Sequence, residues 1–276
     1  MARLPADARS GRARVAGRRR CGPDAFVLEL ELPEPLPDLA PGRFAMLAPV
    51  AGGPLVPRPF SVYDQPAPDR VSFLIQVIGA GTRALAALAE GAEVIATLPL
   101  GNGFVLPEPE REVALVAGGV GSAPFLLYAR ARLGALAPTH FLFGARTAER
   151  LYDREVFAGL SGLRSVLATD DGSLGFAGHA VACLEAELAA GRISAGARFC
   201  ACGPEPLLRS FAAFARARGL DAEVSLETYM GCGFGVCNGC PTPTDPAGRL
   251  GDWPWAKVCL DGPVFAVTDL AAPAGS

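Results

Sequence analysis

Apolar and acidic residues alternate from Phe26 to Pro33, the period of a strand with one buried and one wet face. The stretches 42–50, 58–64 and 70–79 continue this texture with turns between them, so residues 11–105 read as short strands of an antiparallel β-barrel. One helical run interrupts them, Thr82–Val94, with Gly91 as its expected stop. From Arg111 the texture changes. Apolar strands at 111–119, 138–146, 163–171 and 197–204 alternate with helical runs at 123–136, 177–191 and 205–219. Strands alternating with helices predict parallel βαβ units in a doubly wound sheet. After a last strand at 221–227 the chain becomes rich in Gly, Pro and Cys. The expected organisation is therefore an antiparallel barrel over 1–108, an α/β domain over 109–222 and a small C-terminal domain over 223–276. Pro107–Glu110 reads as the first linker.

Composition narrows the function. Half the residues are hydrophobic and 19% are charged, so a sizeable core can form and global disorder is excluded. A net charge of -3 gives no electrostatic reason to expect a nucleic-acid or anionic-membrane partner. No uninterrupted apolar run reaches the roughly 18 residues of a membrane span. The arginines at 3, 9, 12, 14 and 18–20 are not followed by an apolar segment, so no secretory signal is expected and the setting is cytoplasmic. In that compartment the eight cysteines read as thiols or metal ligands rather than disulfides.

Four of them form a pattern. Cys232, Cys237 and Cys240 stand as C-x4-C-x2-C, and Cys259 follows after 18 residues. The first three match the plant-type [2Fe–2S] spacing, in which one tight loop and one distant segment surround two irons and two sulfides. Gly231, Gly233, Gly235 and Gly239 interleave them and let backbone N–H groups approach the sulfurs. The competing reading is structural zinc, which normally uses two short-spaced pairs and finds only one here. Cys21, Cys183 and Cys200 read as small buried residues.

Two further motifs carry ligand chemistry. In the barrel, Arg58–Ser61 offers a guanidinium for a diphosphate, Phe60 for a flat ring and Ser61 for a ring nitrogen. Gly79 and Gly81 open the following helix, where backbone donors favour an anion. In the α/β part, Gly118, Gly119 and Gly121 lie at a strand-to-helix turn with Pro124 near the first helical position. This is G-x-G-x-x-P, a variant of the dinucleotide fingerprint. Cys202–Pro206 forms a second Gly-bearing turn before a helix, and Asp170 or Asp171 ends another strand within reach of a ribose.

Taken together, the motifs RPFS (58–61), GAGT (79–82), PLGNGF (99–104), AGGVGSAP (117–124), CGPEP (202–206) and SLETYMGCGFGVCNGC (225–240) resemble the ferredoxin–NADP reductase superfamily. Within it the chain resembles the electron-transfer subunits of NAD-dependent, class B dihydroorotate dehydrogenases. The resemblance implies an FAD-binding barrel, with Arg58 on the diphosphate, Pro59, Phe60 and Ser61 at the flavin, Ile75, Gln76 and Val77 along the next strand, and Gly81 and Thr82 at the diphosphate. It implies an NAD(H)-binding α/β domain, with Gly118, Gly119 and Gly121 at the dinucleotide and Cys202 and Gly203 near the nicotinamide. It implies a [2Fe–2S] cluster on Cys232, Cys237, Cys240 and Cys259. No side chain is assigned acid–base or covalent catalysis. The implied partner is an FMN-containing catalytic subunit in a two-plus-two heterotetramer, reached through the cluster domain and Trp253–Trp255.

A flavin is needed between the other two centres, because a nicotinamide exchanges hydride and an iron–sulfur centre exchanges single electrons. Three other readings stay open at this point. They are a related NAD(P)H–ferredoxin or sulfur-reducing oxidoreductase subunit, a flavin reductase acting alone, and a zinc-stabilised nucleotide-binding protein without redox activity.

Overall fold

A computed structural model describes residues 5–51, 53–251 and 253–272. The first part builds β1 (Arg9–Arg20), β2 (Ala25–Glu31), β3 (Phe44–Pro49), β4 (Arg58–Ser61), β5 (Asp64–Ala67), β6 (Arg70–Gln76), α1 (Ala80–Ala86) and β7 (Glu93–Leu100). The strands form one antiparallel half-barrel in the order β4-β3-β7-β1-β2-β6-β5. Register explains its core. Phe26, Leu28 and Leu30 on β2 stand opposite Ile75, Phe73 and Val71 on β6, and all six are buried on the inner face. The alternate residues Ala25, Val27 and Leu74 are also buried, because that face packs against the α/β half. This is why the polar half of the alternation fades in these strands.

The second part runs β8 (Val113–Gly118), α2 (Ala123–Ala131), β9 (Thr139–Ala145), α3 (Arg154–Ala158), β10 (Leu163–Thr169), β11 (Phe176–Ala177), α4 (Ala180–Ala189), β12 (Arg198–Cys202), α5 (Glu205–Arg218) and β13 (Ala222–Ser225). Six of these strands are parallel neighbours, in the order β11-β10-β9-β8-β12-β13. Every residue of β8 is buried, as a central parallel strand covered on both faces requires. Phe141 of β9 stacks on Phe157 of α3 with centroids 4.4 Å apart. Each such ring contributes roughly 1.5–3 kcal/mol by leaving water. The strand order reverses between β8 and β12, which makes the carboxyl ends of these two strands the switch point where doubly wound sheets bind ligands.

The tail supplies β14 (Pro241–Pro243), β15 (Trp255–Lys257) and β16 (Val264–Ala266). β14 and β15 form a small antiparallel pair, while β16 joins the edge of the α/β sheet antiparallel to β13. Asn102 fastens this return. Its side chain donates to the carbonyls of Asp261 and Val264 and accepts from the Val264 N–H at 2.9 Å. The PLGNGF segment thus docks the cysteine-bearing tail.

Two sequence expectations are corrected. The helix predicted over Thr82–Val94 is α1, which spans Ala80–Ala86, and Glu93 and Val94 already belong to β7. Both are drawn into strand pairing with β1 and β3, which overrides local helix preference. Between the two parts, buried Arg132 donates to the carbonyls of Pro107, Glu108 and Arg111 and so pins the Pro107–Glu110 segment. Cys21 lies just beyond β1 and is half-buried, not a core residue. No helix among the described residues is long and apolar enough to cross a membrane.

Candidate redox site

Three groups of residues carry the candidate ligand chemistry: β4 with the start of α1, the turns after β8 and β12, and the cysteine loop. On the barrel, Arg58, Pro59, Phe60 and Ser61 are half-buried along β4. The Arg58 side chain lies over Gly81: a Cβ there would stand 3.3 Å from its Cγ and Nε. Glycine at 81 therefore makes room for the guanidinium beside the start of α1. Thr82 shapes that turn, its Oγ1 accepting from the N–H groups of Ile78 and Gly79 at 3.0 Å. Ile75 points into the barrel core, whereas Gln76 and Val77 are half-exposed. An extended anionic ligand with a flat ring fits this donor set: a cation, a turn of glycines and an open strand.

The dinucleotide turns touch. β8 and β12 pair with Ala117 opposite Cys202, and a Cβ on Gly121 would meet Gly203 Cα at 2.4 Å and the Cys202 carbonyl oxygen at 2.5 Å. Gly119 adopts φ +55°, with open space where its Cβ would be. The turns border a cleft of about 680 Å³ whose walls include Gln76, Gly118, Gly119, Arg146, Arg150, Tyr152, Asp170, Pro204 and Glu227. Its size suits a dinucleotide's reactive end. Cys202 is buried in the core behind the turn, and that burial, with Glu227 adding to it, raises its thiol pKa. Of the two aspartates singled out in the sequence, Asp170 lines the cleft. Asp171 is turned away, accepting from the N–H and hydroxyl of Ser173.

Sequence patterns missed the network that joins the two halves. Asp24, in the turn between β1 and β2, accepts from Tyr152 OH at 2.6 Å, Gln76 Nε2 at 2.8 Å and an Arg150 guanidinium nitrogen at 3.0 Å. Gln76 Nε2 also donates to Tyr152 OH at 3.1 Å. Burial alone would raise the Asp24 carboxyl, but Tyr152, Gln76 and Arg150 hold it below its ordinary value. The next residue, Asp153, takes a bidentate contact from Arg19 and a 2.6 Å hydrogen bond from the buried Tyr63 hydroxyl. Its left-handed backbone, φ +58°, turns the carboxylate toward the barrel. No spacing rule links positions 19, 24, 63, 76, 152 and 153; only the folded chain does.

The cysteine loop packs on the barrel floor. Cys240 and Cys259 are buried with Phe44, Met46 and Leu100, and their sulfurs stand 3.2 Å apart. The β14–β15 pairing, Pro241 opposite Lys257 and Pro243 opposite Trp255, folds the 18-residue gap back so that these two thiols meet. Cys232 and Cys237 form the outer pair, half-buried and exposed. Among the described residues no three potential ligands gather around a single point; the thiols stand as two pairs. Burial raises the Cys232 thiol, but backbone N–H groups of Cys237, Phe234 and Val236, together with the Cys237 side chain, bring it down to about 6. The Phe234 N–H points at the Cys232 sulfur from 3.4 Å. Burial, with Cys240 adding to it, pushes Cys259 up to about 12. Two thiol pairs with N–H groups aimed at sulfur form a donor set that fits a two-iron, two-sulfide cluster.

An antiparallel half-barrel, a doubly wound sheet meeting it across a cleft, and a cysteine-rich tail define the ferredoxin-reductase class of fold. A solved structure concerned with the NADH-dependent reduced ferredoxin–NADP oxidoreductase superposes with a TM-score of 0.78 at 24% identity, covering 94% of this chain and 90% of that one. The ferredoxin reductase of carbazole 1,9a-dioxygenase gives 0.71 at 22% identity over 80% and 70%. Residues 227–271 match the iron–sulfur cluster binding domain of dihydroorotate dehydrogenase B. The dihydroorotate dehydrogenase B (NAD(+)) electron transfer subunit of Desulforamulus reducens is 30% identical over 92% of this chain and 95% of its own length. That of Caldanaerobacter subterraneus is 33% identical over 92% and 95%. The chain belongs to the family of dihydroorotate dehydrogenase B electron transfer subunits.

Proposed function

We propose that this chain is the electron-transfer subunit of a dihydroorotate-oxidising enzyme of pyrimidine biosynthesis, passing electrons from a catalytic partner to NAD+ through [2Fe–2S] and FAD. When bound, a flavin exchanges hydride with a nicotinamide and single electrons with an iron–sulfur centre. The chain's residues hold and separate these partners. Arg58, Gly81 and Thr82 receive the FAD diphosphate, and Pro59, Phe60, Ser61, Gln76 and Val77 flank the ring, while Ile75, expected there from the sequence, fills the barrel core behind them. Gly118, Gly119 and Gly121 present backbone to the dinucleotide, with Cys202 and Gly203 near the nicotinamide. Cys232, Cys237, Cys240 and Cys259 ligate the cluster.

Contiguity carries this reading. Gln76 belongs both to the flavin strand and to the dinucleotide cleft. At the other end Gly233 packs on Met46, which pairs with Pro59 in the β3–β4 ladder. The thiol loop therefore reaches the flavin strand through packed protein at Met46, which gives single electrons a route.

The partner surface lies around the outer thiols. Cys237 is exposed, and the same appendage shows Tyr229, Val236, Trp253 and Trp255 at 96%, 74%, 71% and 50% exposure. An FMN-bearing catalytic subunit, in a two-plus-two assembly, covers this patch. The test is co-purification with the candidate catalytic subunit, then an assay of dihydroorotate-dependent NAD+ reduction. Reduction that requires this chain, in protein with flavin and iron–sulfur absorbance, is the expected result. Equal NAD+ reduction without the chain, or a colourless zinc protein, overturns the assignment.

A further inference from the structure

Gln76 reaches the cleft with only one of its two polar atoms free, and partner chemistry decides which. Asp24 is a carboxylate that can only accept, so the side-chain nitrogen of Gln76 must face it. Tyr152 gives its single hydroxyl proton to the other oxygen of Asp24 and therefore accepts from the same Gln76 nitrogen. Arg150 adds a third donor to Asp24 and also reaches the Tyr152 hydroxyl oxygen. Both protons of the Gln76 amide are thereby committed to Asp24 and Tyr152, and its carbonyl oxygen takes no hydrogen bond among the described residues.

We propose that Asp24 and Tyr152 are positioning residues that lock Gln76 as a pure hydrogen-bond acceptor in the cleft, matched to an imide or carboxamide N–H of the bound redox ring. The inference rests on the flavin and dinucleotide reading above. Two rings supply this chemistry, the imide N–H of the flavin and the carboxamide of the nicotinamide. Because the network spans both halves, it also ties the orientation of a flavin-strand side chain to residues 150–152 of the dinucleotide half. Tyr152 is held from the barrel side as well: a Cβ on Gly22 would meet its ring at 2.6 Å, so only glycine lets the ring settle there.

The experiment uses the full chain carrying its cluster, stripped of flavin and refilled. Affinity for FAD and the shape of the flavin visible band are measured for wild type, Gln76→Leu, Asp24→Asn, Tyr152→Phe and the double variant Asp24→Asn with Gln76→Leu. Affinity for NAD+ is measured on each flavin-loaded protein, and a thermal melt checks folding. If the flavin imide is the donor, Gln76→Leu weakens FAD roughly tenfold, the size of one lost hydrogen bond. Asp24→Asn and Tyr152→Phe then move FAD affinity and the visible band in the same direction. The double variant is no weaker than Gln76→Leu alone, because the lock has nothing left to hold. If the carboxamide is the donor, the same pattern appears in NAD+ affinity and leaves FAD unchanged. Additive losses in the double variant, or wild-type FAD and NAD+ affinities in Asp24→Asn and Tyr152→Phe, overturn the proposal. A wild-type chain that takes up neither flavin nor dinucleotide overturns the functional reading and this inference with it. Should Asp24→Asn fail to fold, Tyr152→Phe, which keeps the ring, carries the same comparison.

Discussion

Gly233 lies so close to Met46 that a Cβ on the glycine would come within 2.3 Å of the methionine Cγ. Its φ of +79° is also one that side chains resist. This contact seats the cysteine loop on the barrel. Gly233→Ala should cost roughly 1–2 kcal/mol in backbone strain alone, plus the displacement of buried Met46. The expected outcome is a protein with reduced iron and sulfide content but near-normal flavin content, measured by metal analysis and visible absorbance.

The contact between the two dinucleotide turns gives a second prediction. A methyl group on Gly121 must push against the backbone of Cys202 and Gly203. Gly121→Ala should cost about 1–3 kcal/mol as overpacking. NAD+ binding should weaken about tenfold or more, with FAD affinity retained, as titration of the flavin-loaded protein will read.

Tyr63 and Asp153 pin the α/β half to the barrel through a buried charged hydrogen bond. Tyr63→Phe leaves the carboxylate with Arg19 alone and should destabilise the chain by about 1–3 kcal/mol. For a protein of this size that is a fall of several degrees in Tm. An unchanged Tm would show that the latch contributes nothing.

The folded-state pKa of Asp24 is held below its ordinary value, so its network adds stability above the unfolded aspartate value of about 4. That stability is lost as pH falls through the lowered folded value. Asp24→Asn should therefore melt below wild type at pH 6, with the gap closing as the pH is taken toward 3. A gap that stays constant across this range would remove Asp24 from the acid response.

Much of this architecture is readable in the chain because it rests on local rules. The strand at 26–33, the glycine turns at 118–121 and 202–203, and α5 with its Gly219 stop at φ +61° all follow from period, turn chemistry and capping. The thiol spacing likewise announces itself. What the sequence hides is long-range. β16 leaves the tail to pair with β13, more than thirty-five residues earlier, and three residues are too few to show a period. The same holds for α3, a five-residue helix held by the Phe157–Phe141 stack. The Asp24–Gln76–Tyr152 network is invisible for another reason. Each member looks like an ordinary polar residue until the two halves close on each other.

The position of β16 has a consequence for how this protein keeps itself from sticking to its neighbours. Without it, β13 would present bare N–H and C=O groups at the rim of a twisted parallel sheet, a template for pairing with another molecule. The cap that blocks this rim is only three residues long and leaves little template of its own. It belongs to the segment that carries Cys259 and is moored by Asn102. The redox appendage is thus also the sheet's guard, and a chain whose tail fails to dock loses colloidal stability together with its electron path.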